Sequence, residues 1–266
     1  MTVRAATDDP SANEVVGVTN PSGAGPFLIV CEHASKFIPA EFGNLGLEGA
    51  ALDSHIAWDP GALAVAETMA ALLDAPLVAQ RVSRLLYDCN RPPEAESAMP
   101  ALSEITRIPG NANLSAVDRE ARVARFHAPF RDTLAGCIAR RIASGRRPAL
   151  VTVHSFTPIF KGVRRETGLG ILHDTDARLA DALLEATKTR TGLAIHRNRP
   201  YGPEDGVTHT LAEHGVARGL LNVMLEIRND LIGDAASQAA MARWLSRCLT
   251  AALAALADAP EGREIA

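Results

Sequence analysis

Two histidines and two glutamates stand where apolar runs of this sequence end. Glu32-His33 closes the run Pro26–Glu32, and His154-Ser155 follows Ala149–Val153. Glu226 falls near the end of Leu220–Ile227, in Leu225-Glu226-Ile227-Arg228. Asp88-Cys89-Asn90-Arg91-Pro92 puts a carboxylate, a carboxamide and a guanidinium where a short apolar segment passes into a Pro-rich loop. His55-Ile56-Ala57-Trp58-Asp59 adds one imidazole and one carboxylate just ahead of a helical stretch. Imidazole nitrogens together with carboxylate oxygens are the ligands of hydrolytic zinc sites, which keep one coordination position for water. Each residue also has a plain structural reading. A single histidine is more often a hydrogen-bonded structural residue than a ligand. Asn90-Arg91 can cap a turn and pair with a surface carboxylate, and Glu226 can lie in water at a strand end. Coincidence argues for a site: an acid, two histidines and an arginine fall at the ends of separate apolar segments, which an open α/β sheet gathers at its carboxyl edge.

The elements that must do this gathering follow from hydrophobic periodicity. Pro26–Glu32 is continuously apolar rather than alternating, as a strand covered on both faces requires. Ala149–Val153, Gly168–Leu172 and Leu220–Ile227 read the same way, and Pro76–Ala79 and Leu85–Asp88 read as two short strands. Gly61–Leu73 repeats apolar residues at helical spacing, with Pro60 at a natural helix start. Ser115 to about Ser144 reads as a long helical region kinked near Pro129, and Asp176–Thr191 as a helix ended by Gly192. Ala235–Ala257 is a terminal helix. This alternation predicts an α/β fold: one catalytic domain over residues 26–260, with a mixed, mostly parallel sheet covered by helices on both faces. Residues 1–25 are polar and rich in Gly, Pro, Ser and Asn, and are expected to form a flexible N-terminal arm.

Composition narrows the function classes. A chain of 266 residues with 47% hydrophobic and 22% charged side chains has the profile of a globular domain, not of a disordered or collagen-like protein. Its 27 basic and 31 acidic residues give a net charge of −4, so nucleic acid is not an expected partner. No run approaches the ~18 uncharged residues of a membrane span. The cysteines, Cys31, Cys89, Cys137 and Cys248, are scattered without a CxxC pair and read as small buried hydrophobes. The N-terminus has no apolar segment of the secretory type, and the expected location is the cytoplasm.

At the level of ordered motifs the sequence resembles the N-formylglutamate amidohydrolase family, which is related to the zinc carboxypeptidases and aspartoacylases. The matching segments are FLIVCEHASKFIP at 27–39, HIAWDPGA at 55–62, VSRLLYDCNRP at 82–92 and IPGN at 108–111. They continue with LVTVHSFTP at 150–158, NRPYG at 198–202 and LEIRNDLI at 225–232, spanning nearly the whole domain in family order. The resemblance implies a zinc-carboxypeptidase-like fold and hydrolysis of an N-acyl amide beside a free carboxylate, such as N-formyl-L-glutamate to formate and L-glutamate.

The same resemblance assigns roles. His33 and His154 correspond to histidine ligands of a Zn2+ ion, Asn90 and Arg91 to the pair that holds a substrate carboxylate, and Glu226 to the glutamate that activates water. The carboxypeptidase pattern carries an acidic ligand three residues after the first histidine, where this chain has Lys36. Asp59 is the expected replacement; Glu32 is a poorer one, because its side chain should point away from that of His33 if the strand continues. Arg84 is a further candidate for stabilising the oxyanion. Tyr201, in the NRPYG segment, and His214 are candidate substrate contacts, with His55 and His209 in reserve. A selector for the glutamate side chain would be a second cation, among Arg107, Arg164, Arg165 and Arg228. The expected partner is a small N-acyl amino acid. Two alternatives stay open: a metal-dependent deacylase or carboxypeptidase acting on another N-acyl amino acid or small peptide, and a non-catalytic binding protein on the same fold. Lys36 favours the second, and the joint presence of His33, Arg91, His154 and Glu226 argues against it.

Overall fold

Phe27–Cys31 and Ala149–Phe156 are buried at every position, as their uninterrupted apolarity requires, and they lie side by side at the centre of the sheet. The computed structural model describes residues 15–188 and 192–258. In chain order the first half contains β1 (Val16–Thr19), β2 (Phe27–Cys31), α1 (Ala50–Asp53), α2 (Ala62–Leu72) and β3 (Leu77–Gln80). A small hairpin, β4 (Leu102–Ser103) and β5 (Thr106–Arg107), precedes helices α3 (Ala116–Arg122) and α4 (Ala128–Ala143). The second half contains β6 (Ala149–Phe156), a hairpin of β7 (Ile159–Phe160) and β8 (Val163–Arg164), and β9 (Leu169–Leu172). It ends with α5 (Arg178–Thr187), β10 (Ile195–Arg197), β11 (Asn222–Arg228) and α6 (Ala235–Ala257).

Seven strands form one sheet in the order β1-β3-β2-β6-β11-β9-β10. The central four, β3, β2, β6 and β11, are mutually parallel, whereas β1 and the β9–β10 pair run the other way. This is the expected mixed, mostly parallel sheet. Ile29, Val151, Val153, Val223 and Leu225 pack on α2, α5 and α6 on one face. Leu28, Val30, Leu150 and Met224 face the other side, where Phe130, Leu134 and Ile138 of α4 complete the core. Truncating a buried aromatic such as Phe130 to Ala is expected to cost about 3–5 kcal/mol, from lost burial plus the cavity left behind. All four cysteines are buried, and none forms a disulfide among the described residues. Among the described residues, no helix is long and apolar enough to cross a membrane.

Four expectations need adjustment. Val16–Thr19, inside the presumed arm, pairs antiparallel with β3 and forms an edge of the sheet, while residues 1–14 lie outside the described residues. Leu85–Asp88 is not a strand. Its backbone is satisfied by a turn and by side chains: Leu85 N–H donates to Ser83 Oγ at 3.2 Å, Leu86 N–H to the Ser83 carbonyl at 3.0 Å, and Asn111 Nδ2 donates to the Leu85 carbonyl at 2.9 Å. The break in the long helical region sits at a wider turn over Val123–His127 rather than at Pro129, which falls in the first turn of α4, where its missing N–H costs nothing. The helix expected over Asp176–Thr191 runs Arg178–Thr187; Thr189–Thr191, like the last two positions of the expected domain, lie outside the described residues.

Candidate active site at the carboxyl ends of the parallel strands

Strand alternation sets the first row of the site. Val151 and Val153 of β6 point to the α2/α5/α6 side, so Thr152 and His154 point to the opposite side; on β11 the same logic turns Met224 and Glu226 that way. The register pairs Glu226 with His154 directly. Val30 of β2 pairs with Thr152, and two residues further on Glu32 comes level with His154, its Oε2 lying 3.1 Å from His154 Nε2. Glu32, His154 and Glu226 thus form one buried row across three adjacent strands.

His33 and Asp59 close on this row from the two loops that follow. Asp59 Oδ2 lies 3.1 Å from His154 Nδ1 and 3.3 Å from His33 Nδ1, and the two Nδ1 atoms are 3.2 Å apart. The Asp59 carboxylate also accepts the Ser155 backbone N–H at 3.1 Å, and its other oxygen is 3.4 Å from Arg84 Nη1. His33 Nε2 is 2.7 Å from Asp88 Oδ1, and Arg84 Nη2 donates to the second oxygen of Asp88. Each imidazole therefore has a carboxylate behind its Nε2, Asp88 hydrogen-bonded to His33 and Glu32 paired with His154 by charge without hydrogen-bond alignment, and each turns Nδ1 toward Asp59.

The donor set fits a cation. Ligand bonds of about 2.0–2.1 Å in a tetrahedral site imply ligand-to-ligand edges of about 3.3 Å, and the three edges here are 3.1, 3.2 and 3.3 Å. Charges in the metal-free chain point the same way. Burial disfavours the charged form of Asp59, but His33, His154 and Arg84 outweigh it and hold the carboxyl well below the ordinary range. Burial also opposes the imidazolium of His154, yet Glu32 and Asp59 push its pKa well above that of a free histidine. A bound cation would take over from those protons. Glu226 differs: burial, aided by the Asp59 charge and opposed by His154, His33 and Arg84, pushes its pKa up to about 7. Its Oε2 is buried without a hydrogen-bond partner.

These residues lie in a cleft of about 1110 Å³ that opens between the two small hairpins, with Leu102, Ser103, Phe160 and Val163 on its walls. The family model described as N-formylglutamate amidohydrolase matches residues 25–233. The chain belongs to the N-formylglutamate amidohydrolase family. It is a hydrolase. The crystal structure of a gene product from Agrobacterium tumefaciens is similar to it, with a TM-score of 0.90 and 53% identity over 92% of this chain and 97% of that one. The N-formylglutamate amidohydrolase of Ralstonia eutropha JMP134 shares the fold at 18% identity, with a TM-score of 0.61 over 92% of this chain and 99% of that one. No curated protein matches the sequence.

In this amidohydrolase-family chain, His33, Asp59, Arg84, Asn90, Arg91, His154, Tyr201 and Glu226 all line the cleft. Their surroundings separate them. Asn90 spends both side-chain heteroatoms on backbone, Nδ2 donating to the Val207 carbonyl and Oδ1 accepting the Thr210 N–H. Arg84 spans Asp59 and Asp88, so it holds the carboxylates rather than presenting a free guanidinium. Arg91 makes one side-chain bond, to the carbonyl of Asn90 at 2.8 Å, and keeps the rest of its fork for the cleft. His214, read as a substrate contact, does not line the cleft; it is buried beside Glu213, and burial lowers its pKa to about 4. His55 bonds Glu104 at 2.7 Å, and Lys36 pairs with exposed Asp53 rather than approaching the histidines. Of the four arginines proposed as side-chain selectors, Arg165 lines the cleft, lying over the rings of Phe160 at 4.4 Å and Tyr201 at 4.8 Å. Arg228 instead donates to the Arg165 carbonyl. Asp88 and the orienting contact of Glu32 have no role in the sequence reading. Asp88 carries a weak signal, one residue from the Asn90-Arg91 pair it precedes, but nothing in sequence ties it to His33.

Proposed function

We propose that this hydrolase cleaves the amide of an N-formyl amino acid, N-formyl-L-glutamate foremost, to formate and the free amino acid, with a divalent ion of the zinc type held by His33, Asp59 and His154. The observation that supports it is the convergence of three ligand atoms at tetrahedral-edge distances, each backed by an oppositely charged or proton-holding group. The third ligand comes from the loop after His55, which accounts for the lysine at position 36. When bound, the ion supplies Lewis acidity, lowering the pKa of water and polarising the acyl carbonyl.

The chain's own residues do the rest. Asp88 and Glu32 hold the Nε2 sides of the two imidazoles, and Arg84 fixes the two aspartates on either side of His33. Glu226 takes the proton of the attacking water at its free carboxylate oxygen and returns it to the departing nitrogen, leaving formate and an amine. In the metal-free chain burial already raises the Glu226 carboxyl pKa, so the group is poised to exchange a proton rather than to rest as a solvated anion. Arg91 pairs with the substrate α-carboxylate, for which a planar guanidinium offers two parallel hydrogen bonds. Arg165, steadied on Phe160 and Tyr201, is the cation that faces a second carboxylate further along the cleft.

The cleft volume of about 1110 Å³ favours one further reading, hydrolysis of larger N-acyl groups or short peptides, since a formyl amino acid fills only part of it. One panel tests both. N-formyl, N-acetyl and N-carbamoyl amino acids and dipeptides are offered to metal-stripped and zinc-reconstituted protein. The expected result is formate release from N-formyl-L-glutamate that stops on stripping and returns with zinc. Turnover unaffected by stripping would overturn the ion, and faster turnover of N-acetyl or peptide substrates would move the substrate assignment.

A further inference from the structure

A second group of ligand-type side chains lies outside the cleft. His127, His209 and Glu213 present ring nitrogens and a carboxylate oxygen that all lie within 4.8 Å of one another, and none of the three lines the cleft. Two wide turns bring them together. Val123–His127 joins α3 to α4, and Leu211–Gly215 follows the short helical segment that carries His209. Such wide turns inside helices are frequent at functional sites, because they re-aim side chains that a regular helix would space otherwise. His209 and Glu213 stand one turn apart on one face, with His209 Nε2 3.2 Å from Glu213 Oε2.

The polar atoms here are unspent. His127 is only 3% exposed, and its Nδ1 has no hydrogen-bond partner. His209 Nε2 is buried and unpartnered as well, its contact with Glu213 lacking hydrogen-bond alignment. Leaving such buried groups unsatisfied is unfavourable, and a shared cation would satisfy them. Both imidazoles are held neutral: burial lowers the pKa of His127 to about 4 and also lowers that of His209. Glu213 is half-buried, so an ion can enter from solvent.

We infer that His127, His209 and Glu213 form a second site for a divalent transition ion of the zinc or cobalt class. Two imidazoles and one carboxylate select such ions over magnesium or calcium, which prefer all-oxygen shells. The His209–Glu213 edge already matches a tetrahedral site, and a ring nitrogen of His127 lies within 4.8 Å of both. The site is structural. The residues on either side of His209 give the Val207 carbonyl and the Thr210 N–H to Asn90, so an ion there clamps the start of α4 to the turn that carries Asn90 and Arg91.

Zinc titration of metal-stripped protein, by calorimetry and by elemental analysis after desalting, tests it on wild type, His127→Gln and Glu213→Gln. The readout is the difference between proteins, which does not depend on what the first site holds: each variant is expected to bind one equivalent fewer than wild type. Cobalt loading should lose one set of visible absorption bands in the same variants. Equal stoichiometry in wild type and both variants would overturn the second site. A wild type that binds one ion, with His127→Gln binding none, would uphold it and overturn the proposed active-site ion. Glu213→Gln changes a half-exposed residue and keeps the test open should His127→Gln fail to fold.

Discussion

Glu32, the residue after β2, meets His154 of β6 with Oε2 and Nε2 3.1 Å apart and both side chains buried. A carboxylate with no solvent contact is costly unless its charge is used. Here burial raises the Glu32 pKa, but His154 and His33 more than reverse it, and the group is held ionised. The charge lies on the Nε2 side of His154 and helps hold that ring protonated in the metal-free chain.

Glu32→Gln is therefore expected to leave the fold intact and to weaken zinc binding by about 10–100-fold, the usual cost of removing an orienting carboxylate behind a histidine ligand. Competition against a chromogenic chelator measures it. Unchanged zinc affinity in this variant would show that the contact does not orient a ligand.

Under the proposed ligand set, Asp59→Asn replaces the anionic ligand by a neutral amide and removes the anion that faces Arg84 and the Ser155 N–H. Its expected loss of zinc affinity exceeds that of Glu32→Gln, by an order of magnitude or more, with activity falling in parallel. The two variants compared in one chelator assay rank ligand against orienting group; the reverse order would exchange their roles.

Glu226 yields a prediction with a pH sign. Its folded-state pKa of about 7 lies above the ordinary carboxyl value of 4.5, so between those values the folded metal-free chain binds the extra proton. Stability from this group is fully present below about pH 4.5 and is lost as pH rises through about 7. Glu226→Gln should then be more stable than wild type at pH 8, by on the order of 1–3 kcal/mol, and equal to it at pH 4. In kinetics the same change should lower kcat about 10²–10⁴-fold with metal content unchanged, and remove the acid limb of the pH profile. Thermal melts of stripped protein at both pH values and kinetics of loaded protein check the two halves separately. Loss of metal in Glu226→Gln would move Glu226 into the coordination shell.

The strands that carry His33, His154 and Glu226 were legible because buried parallel strands are apolar at every position, and a polar residue at their ends stands out. Period-two alternation does not separate Glu32 from His33, because β2 ends at Cys31 and both residues reach His154 from the turn that follows. Which strand lies beside which is not a periodic property, so the row of Glu32, His154 and Glu226 emerges only when β2, β6 and β11 are neighbours. Leu85–Asp88 misleads for a related reason: its apolar side chains are buried as a strand's would be, while its backbone is satisfied by a turn at Ser83 and by Asn111 from 26 residues away, which no spacing encodes. Asp88 reaches His33 across 55 residues, and His127 reads as one more residue of a long helix until the wide turn re-aims it.

Arg84 and Arg91 separate structure from binding. Both line the cleft, but Arg84 bridges Asp59 and Asp88, whereas the fork of Arg91 is tied only to the Asn90 carbonyl. Arg91→Ala should therefore leave zinc affinity unchanged and raise KM, because a carboxylate contact made in both ground and transition states is lost uniformly. The expected loss is on the order of 2–4 kcal/mol, roughly 30- to 1000-fold in kcat/KM, since the substrate charge is left unpaired. Arg84→Ala should weaken zinc binding first and activity as a consequence, with excess zinc restoring part of kcat. Steady-state kinetics at two zinc concentrations separates the pair. An Arg91→Ala protein rescued by zinc, or an Arg84→Ala protein with normal zinc affinity and raised KM, would reverse the assignment and make Arg84 the residue that holds the substrate.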